Sequence, residues 1–138
     1  MHIAIDYTAV TRPFELAELL CKYGFDVRYI IAEAAGEDDA AFFRLRESRP
    51  EILLCSPANV NMLHLDSQPH EPVLAIGQKA AYYFATDRFV NFVVNGGYYG
   101  FSGITALAGL MQDAFRNPKD RLPLLRHKGF GCDSCLLA

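Results

Sequence analysis

Short apolar runs alternate with amphipathic segments five times along this chain, and that alternation restricts the fold more than any other feature. Residues 2–6, 25–32, 51–55, 73–76 and 89–94 are rich in β-branched, aromatic and aliphatic side chains and read as strands. Helices are expected between and after them. Pro13 suits the first turn of one, where its missing N–H costs nothing, and Gly24 closes it after an apolar stripe of Phe14, Leu16, Ala17, Leu19, Leu20 and Tyr23. A second runs over Ala40–Ser48 with Phe42, Phe43 and Leu45 as its inward candidates, and Arg49-Pro50 stops it. A short helix is expected over 78–86, and a longer one after Gly103, with Ile104, Leu107, Ala108, Leu110, Met111, Ala114 and Phe115 on its buried face. Strand and helix in strict alternation imply a parallel sheet with right-handed crossovers and helices on both faces. The expected class is therefore α/β, a Rossmann-like (flavodoxin-like) doubly wound sheet of about five mainly parallel strands. The continuously apolar run at 51–55 reads as a strand buried on both faces.

The chain of 138 residues suits one domain, placed at residues 1–118, with an irregular extension over 119–138. With 51% hydrophobic and 21% charged residues it can bury a sizeable core. A net charge of −3 gives no electrostatic case for nucleic acid. No apolar run approaches a membrane span, and the N-terminus lacks the basic and apolar regions of a signal peptide. Cys21 and Cys55 lie in apolar segments as buried thiols, which together with the rest points to the cytoplasm.

In a sheet of this kind the functional crevice lies outside the carboxyl ends of the strands. Thr8, Thr11 and Arg12 stand there before a helix N-terminus. They suit an anion site, but a Thr11 cap beside a surface arginine is the reading preferred from sequence, because a cap needs no ligand. Asp6 reads as a solvated loop acid, Cys55 as an unreactive thiol, and His64 and His70 as surface histidines. Cys132-Asp-Ser-Cys135, with His127 upstream, offers two thiolates where a structural zinc needs four ligands. The pair is a candidate for a metal shared with another chain or for a labile disulfide, or it has no role.

The densest signal is Asn95-Gly-Gly-Tyr-Tyr-Gly-Phe-Ser-Gly-Ile104, with glycines at 96, 97, 100 and 103 between the last strand and the last helix. So many glycines imply positive φ or a close backbone approach. This stretch, followed by Leu107-Ala108, Met111, Ala114 and Asn117-Pro118, resembles the C-terminal Rossmann-like domain of nitrogenase component 1 proteins. That family comprises molybdenum–iron protein subunits, cofactor-assembly scaffolds and nitrogenase-like reductases. The Asp6-Tyr7 and Arg12-Pro13 start, the Tyr23–Val27 junction, Arg49–Ile52 and Ala75–Gly77 are similar in order and spacing, so the likeness spans about residues 2–118.

The resemblance implies a domain of a larger oxidoreductase that lines a metallocluster or substrate cavity, in electron transfer or cofactor assembly. Its implied partners are the rest of a longer chain, a homologous subunit and an ATP-dependent reductase. Gly96, Gly97, Tyr99 and Gly100, with Thr11 and Arg12, would face the cofactor, and Cys132 and Cys135 are the metal candidates. In the family's catalytic subunits a histidine of this turn binds the iron–molybdenum cofactor. Tyr99 stands there instead, which points to a scaffold or another paralogue. The family's cluster cysteines lie mainly in an N-terminal portion absent here, so the isolated chain is expected to hold no iron–sulfur cluster and to catalyse nothing. The alternative is a stand-alone flavodoxin-like module for a small anionic ligand or a protein partner. A third possibility is a redox or metal-delivery protein built on the Cys132/Cys135 pair.

Overall fold

A computed structural model describes residues 1–33, 35–36, 39–62, 71–93 and 100–124. Nine elements follow in the order β1 (His2–Asp6), α1 (Pro13–Lys22), β2 (Val27–Ile31), α2 (Ala40–Ser48), β3 (Leu53–Cys55), β4 (Val73–Ile76), α3 (Gln78–Tyr83), β5 (Phe89–Val90) and α4 (Gly100–Arg116). The strands form one sheet in the order β3-β2-β1-β4-β5, and every pairing is parallel. The class is α/β, with the Rossmann strand order.

Side-chain alternation along the strands assigns the two faces. Ile3 and Ile5 of β1 join Phe14, Ala17 and Leu20 of α1, Leu45 of α2, and Leu107 and Met111 of α4 in one buried cluster. Ala4 and Ala75 point the other way and meet Ala80, Ala81 and Phe84 in a second cluster. Alanines in both layers let the six-residue α3 lie close to β1 and β4. Phe84, 1% exposed, then fills the space beside Tyr29, with ring centroids 4.5 Å apart. Burying such a ring contributes about 1.5–3 kcal/mol.

α1 begins at Pro13 and ends before Gly24, whose φ of +83° turns the chain back so that Phe25 N–H donates to Leu20 O at 3.0 Å. α2 has the bounds its sequence implies, because Asp39 caps it by accepting from Phe42 N–H at 3.1 Å and Arg49 ends it. Its inward residues are Ala41 and Leu45, whereas Phe43 is exposed.

Two expectations fail for reasons of topology. β3 is an edge strand, and Leu53 and Leu54 are 54% and 41% exposed instead of buried on both faces. An apolar run has the same appearance at the centre or the edge of a sheet, and only strand order decides between them. α4 starts at Gly100, so Gly100 and Gly103 belong to the helix rather than the turn. Its core face is Gly103, Leu107, Met111 and Ala114, and Ala108 and Phe115 face outward. The apolar residues of α4 exceed one stripe, and Gly103, read from sequence as part of the turn, is buried on the helix's core face.

These placements predict opposite responses at two large apolar residues. Leu53→Ala should change urea-unfolding stability by less than about 1 kcal/mol, whereas Phe84→Ala should cost about 3–5 kcal/mol.

Candidate functional site

Parallel register places Asp6, Ile31 and Cys55 in one row, with Ile76 and Val90 ending the neighbouring strands. The chain reaches β3 on one side of β1 and then returns to β4 on the other side. The crevice of the fold therefore opens between the ends of β1 and β4.

Asp6 stands at that point, fully buried. Its Oδ1 accepts from Thr8 N–H at 2.9 Å, Thr8 Oγ1 at 2.5 Å and Ala9 N–H at 3.0 Å. Its Oδ2 accepts from Ala80 N–H at 2.8 Å, in the first turn of α3. The N-cap residue of α3 is Gly77, which has no side chain to offer. Asp6 supplies the missing cap from another strand. The geometry also explains the glycine. A Cβ at residue 77 would lie 2.1 Å from Asp6 Oδ2, and Gly77 has a φ of +114°. The carboxylate is thus a structural clamp and not the solvated loop acid its position in the sequence suggested.

Tyr7 follows the clamp. The Lys79 ammonium donates to the Tyr7 hydroxyl and lies 4.3 Å from the ring centroid. Gln78 Nε2 donates to Asn91 Oδ1 at 2.5 Å, so α3 also presents an amide pair on this side. The Tyr7–Lys79 pair joins residues 72 positions apart. Nothing local in the sequence announces it.

Beyond Tyr7 an open cleft of about 680 Å³ lies between the N-terminal ends of α1 and α2. Thr11 and Arg12 line it, with Glu33, Asp39 and Arg44 across from them. The N-cap position of α1 is Arg12 rather than Thr11, and the Arg12 side chain makes no cap hydrogen bond. Arg12 is 79% exposed and meets Glu15 at 3.7 Å, a contact of little energetic worth. Arg44 is held by Glu18 through two bonds of 2.8 Å. The Arg44 guanidinium, chiefly by hydrogen bonding, holds the Glu18 carboxyl down at about 2, and Lys22 adds a smaller attraction. The cleft combines one loosely held cation, a hydroxyl and a helix N-terminus with three acids, Glu15, Glu33 and Asp39. It suits a small ligand carrying both an anionic group and hydrogen-bond donors.

Of the expected site residues, Thr11 and Arg12 share this cleft. Gly100 starts α4, which packs on β4 and β5 toward the opposite edge of the sheet from this cleft, with a φ of +64° and open space where a Cβ would stand. Gly96, Gly97, Tyr99, Cys132 and Cys135, like His64, His70 and His127, lie outside the described residues. Among the described residues no three His, Cys, Asp or Glu side chains gather in a way that could hold a metal ion. Cys21 packs against the α1/α2 core and Cys55 against the α3 core. Burial pushes both thiols up, which keeps them protonated. Neutral thiols on opposite faces do not fit an iron–sulfur cluster, which needs converging thiolates. Among the described residues no helix is long and apolar enough to cross a membrane. No protein-family model, curated protein or solved structure matches this chain.

Gly77→Ala should cost more than about 3 kcal/mol in urea unfolding or abolish folding, because the clash and the backbone strain add. Glu18 gives a pH signature. Its folded value is depressed, so its contribution is present above the ordinary 4.5 and is lost as pH falls toward about 2. The stability difference between wild type and Glu18→Gln should therefore be present at neutral pH and shrink through that window.

Proposed function

We propose that this chain is the Rossmann-type domain of a nitrogenase-like oxidoreductase component and walls a cavity in a larger body. The observation that carries this reading is the open flank at β3. This edge strand leaves Leu53 and Leu54 exposed, and a groove of about 400 Å³ runs beside it, lined by Phe42, Leu45 and Ile52 together with Arg46 and Arg49. An apolar sheet edge left bare invites pairing with further chain. The likeness of the 95–104 stretch to nitrogenase component 1 supports the same reading. In it the crevice loops after β1 and β3, with the glycine stretch that precedes α4, face the cavity. The cluster and its electron chemistry belong to the rest of the assembly, to which an ATP-dependent reductase would deliver electrons.

A second reading, a module for a small anionic ligand, is favoured by the α1 N-terminus opening beside Thr11 and Arg12. The two are separated by isolating the protein from the organism that makes it, using an antibody raised against this chain. The first reading expects a species several times 15.4 kDa that carries iron and sulfide. A 15.4 kDa monomer without iron would overturn it. The second expects inorganic phosphate to raise the melting temperature of the isolated chain and Arg12→Ala to abolish that rise.

A further inference from the structure

α4 has a second ordered face. Its core side is Gly103, Leu107, Met111 and Ala114. On the opposite side Phe101, Thr105, Ala108, Gln112 and Phe115 follow one another at intervals of four, three, four and three residues. That is the 3.5-residue repeat by which one helix seats along another. Phe101 is 91% exposed and Phe115 52% exposed. No charged residue occurs on α4 before Asp113, and depletion of charge marks the centre of an interface.

The seam is symmetric about Ala108, with large rings at its ends, Thr105 and Gln112 inside them, and a methyl group at the centre. A two-fold axis at Ala108 sets Phe101 of one copy against Phe115 of the other, and the two helices approach most closely at the alanines. Beside the C-terminal half of α4 lies an apolar hollow of about 620 Å³, lined by Met1, Phe25, Gly109 and Phe115. A Cβ on Gly109 would meet nothing within 4 Å, so the hollow is open above it. Arg88 flanks the Phe115 ring, 5.9 Å from its centroid. Antiparallel pairing carries the most exposed ring of each copy to the mouth of the other copy's hollow.

We infer that a second copy of this chain docks antiparallel on the outer face of α4, seating Phe101 in this hollow. The contact is isologous and closes as a dimer. Phe101 and Phe115 together bring roughly 200–350 Å² of exposed ring, since a phenylalanine buries about 150–250 Å². With Met1, Phe25 and the seam between the rings, each copy covers on the order of 600–800 Å², the lower end of a stable interface. Association is therefore expected at micromolar concentration. This surface lies at the opposite flank from β3, so the inference does not depend on the reading proposed for that edge.

Sedimentation velocity of the full chain over about 1–200 μM tests it. The mass should rise from 15.4 kDa toward twice that value. Phe101→Glu should weaken association at least about tenfold with an unchanged circular-dichroism melt, because so exposed a ring supports nothing within its own copy. In a chain with Cys132→Ser and Cys135→Ser, Ala108→Cys should oxidise to a symmetric disulfide dimer, while Glu47→Cys on α2 should not. A monomer at every concentration, a Phe101→Glu variant that associates like wild type, or equally fast cross-linking through residue 47 would each overturn the inference.

Discussion

The Asp6 carboxylate is the interaction on which the arrangement of this domain depends. It ends the central strand, is fully buried, and accepts four hydrogen bonds. Three come from the turn that follows β1, and the fourth comes from α3, on the far side of the topological switch. A buried polar group persists only when its hydrogen-bonding capacity is satisfied, and here both oxygens are in use. Removing the carboxylate would leave the Thr8 and Ala80 N–H groups without their acceptor, each costing about 1–3 kcal/mol if it stays buried, while Ala9 N–H keeps the Asp6 carbonyl oxygen at 3.1 Å.

Other features follow from that clamp. Residue 77 has to be glycine, since the carboxylate occupies the space its side chain would fill. α3 can be short because its N-terminus is capped in trans and its inner face is alanine packed on alanine. The loop after β1 is drawn inward at Thr8 and Ala9, which sets Tyr7 against Lys79 and leaves Thr11 and Arg12 at the edge of the open cleft. The crevice is thus bordered by a rigid polar knot on the β4 side and by a loosely held arginine on the β2 side. Rigidity lies with the clamp, and the freedom to meet a ligand lies with Arg12.

The fold class was legible because its signal is local. Pro13, Gly24 and Arg49-Pro50 punctuate the chain, and the period of apolar residues changes at each of them. What sequence could not carry was strand order. Without it, 51–55 looked like an interior strand, the excess of apolar residues on α4 looked like one wide buried face, and Asp6 had no visible partner. The signal for the clamp was present as an acid ending one strand and a glycine ending another. The two become related only once β1 and β4 are known to be neighbours. Thr11 and Arg12 could be placed beside the crevice from sequence because the crevice rule needs only strand ends. Gly96, Gly97 and Tyr99 of the 95–104 stretch, and the Cys132/Cys135 pair, lie outside the described residues, so the resemblance rests on sequence there.

The Ala80 amide reports on the clamp directly. It lies in the first turn of α3, where no intrahelical acceptor exists, so any protection from exchange has to come from Asp6. Hydrogen exchange followed residue by residue by NMR should find it protected to nearly the level of the central β1 amides, with that protection lost in Asp6→Ala. Exchange of the wild-type Ala80 amide at the rate of an exposed helix end would contradict the clamp and the account of the crevice built on it.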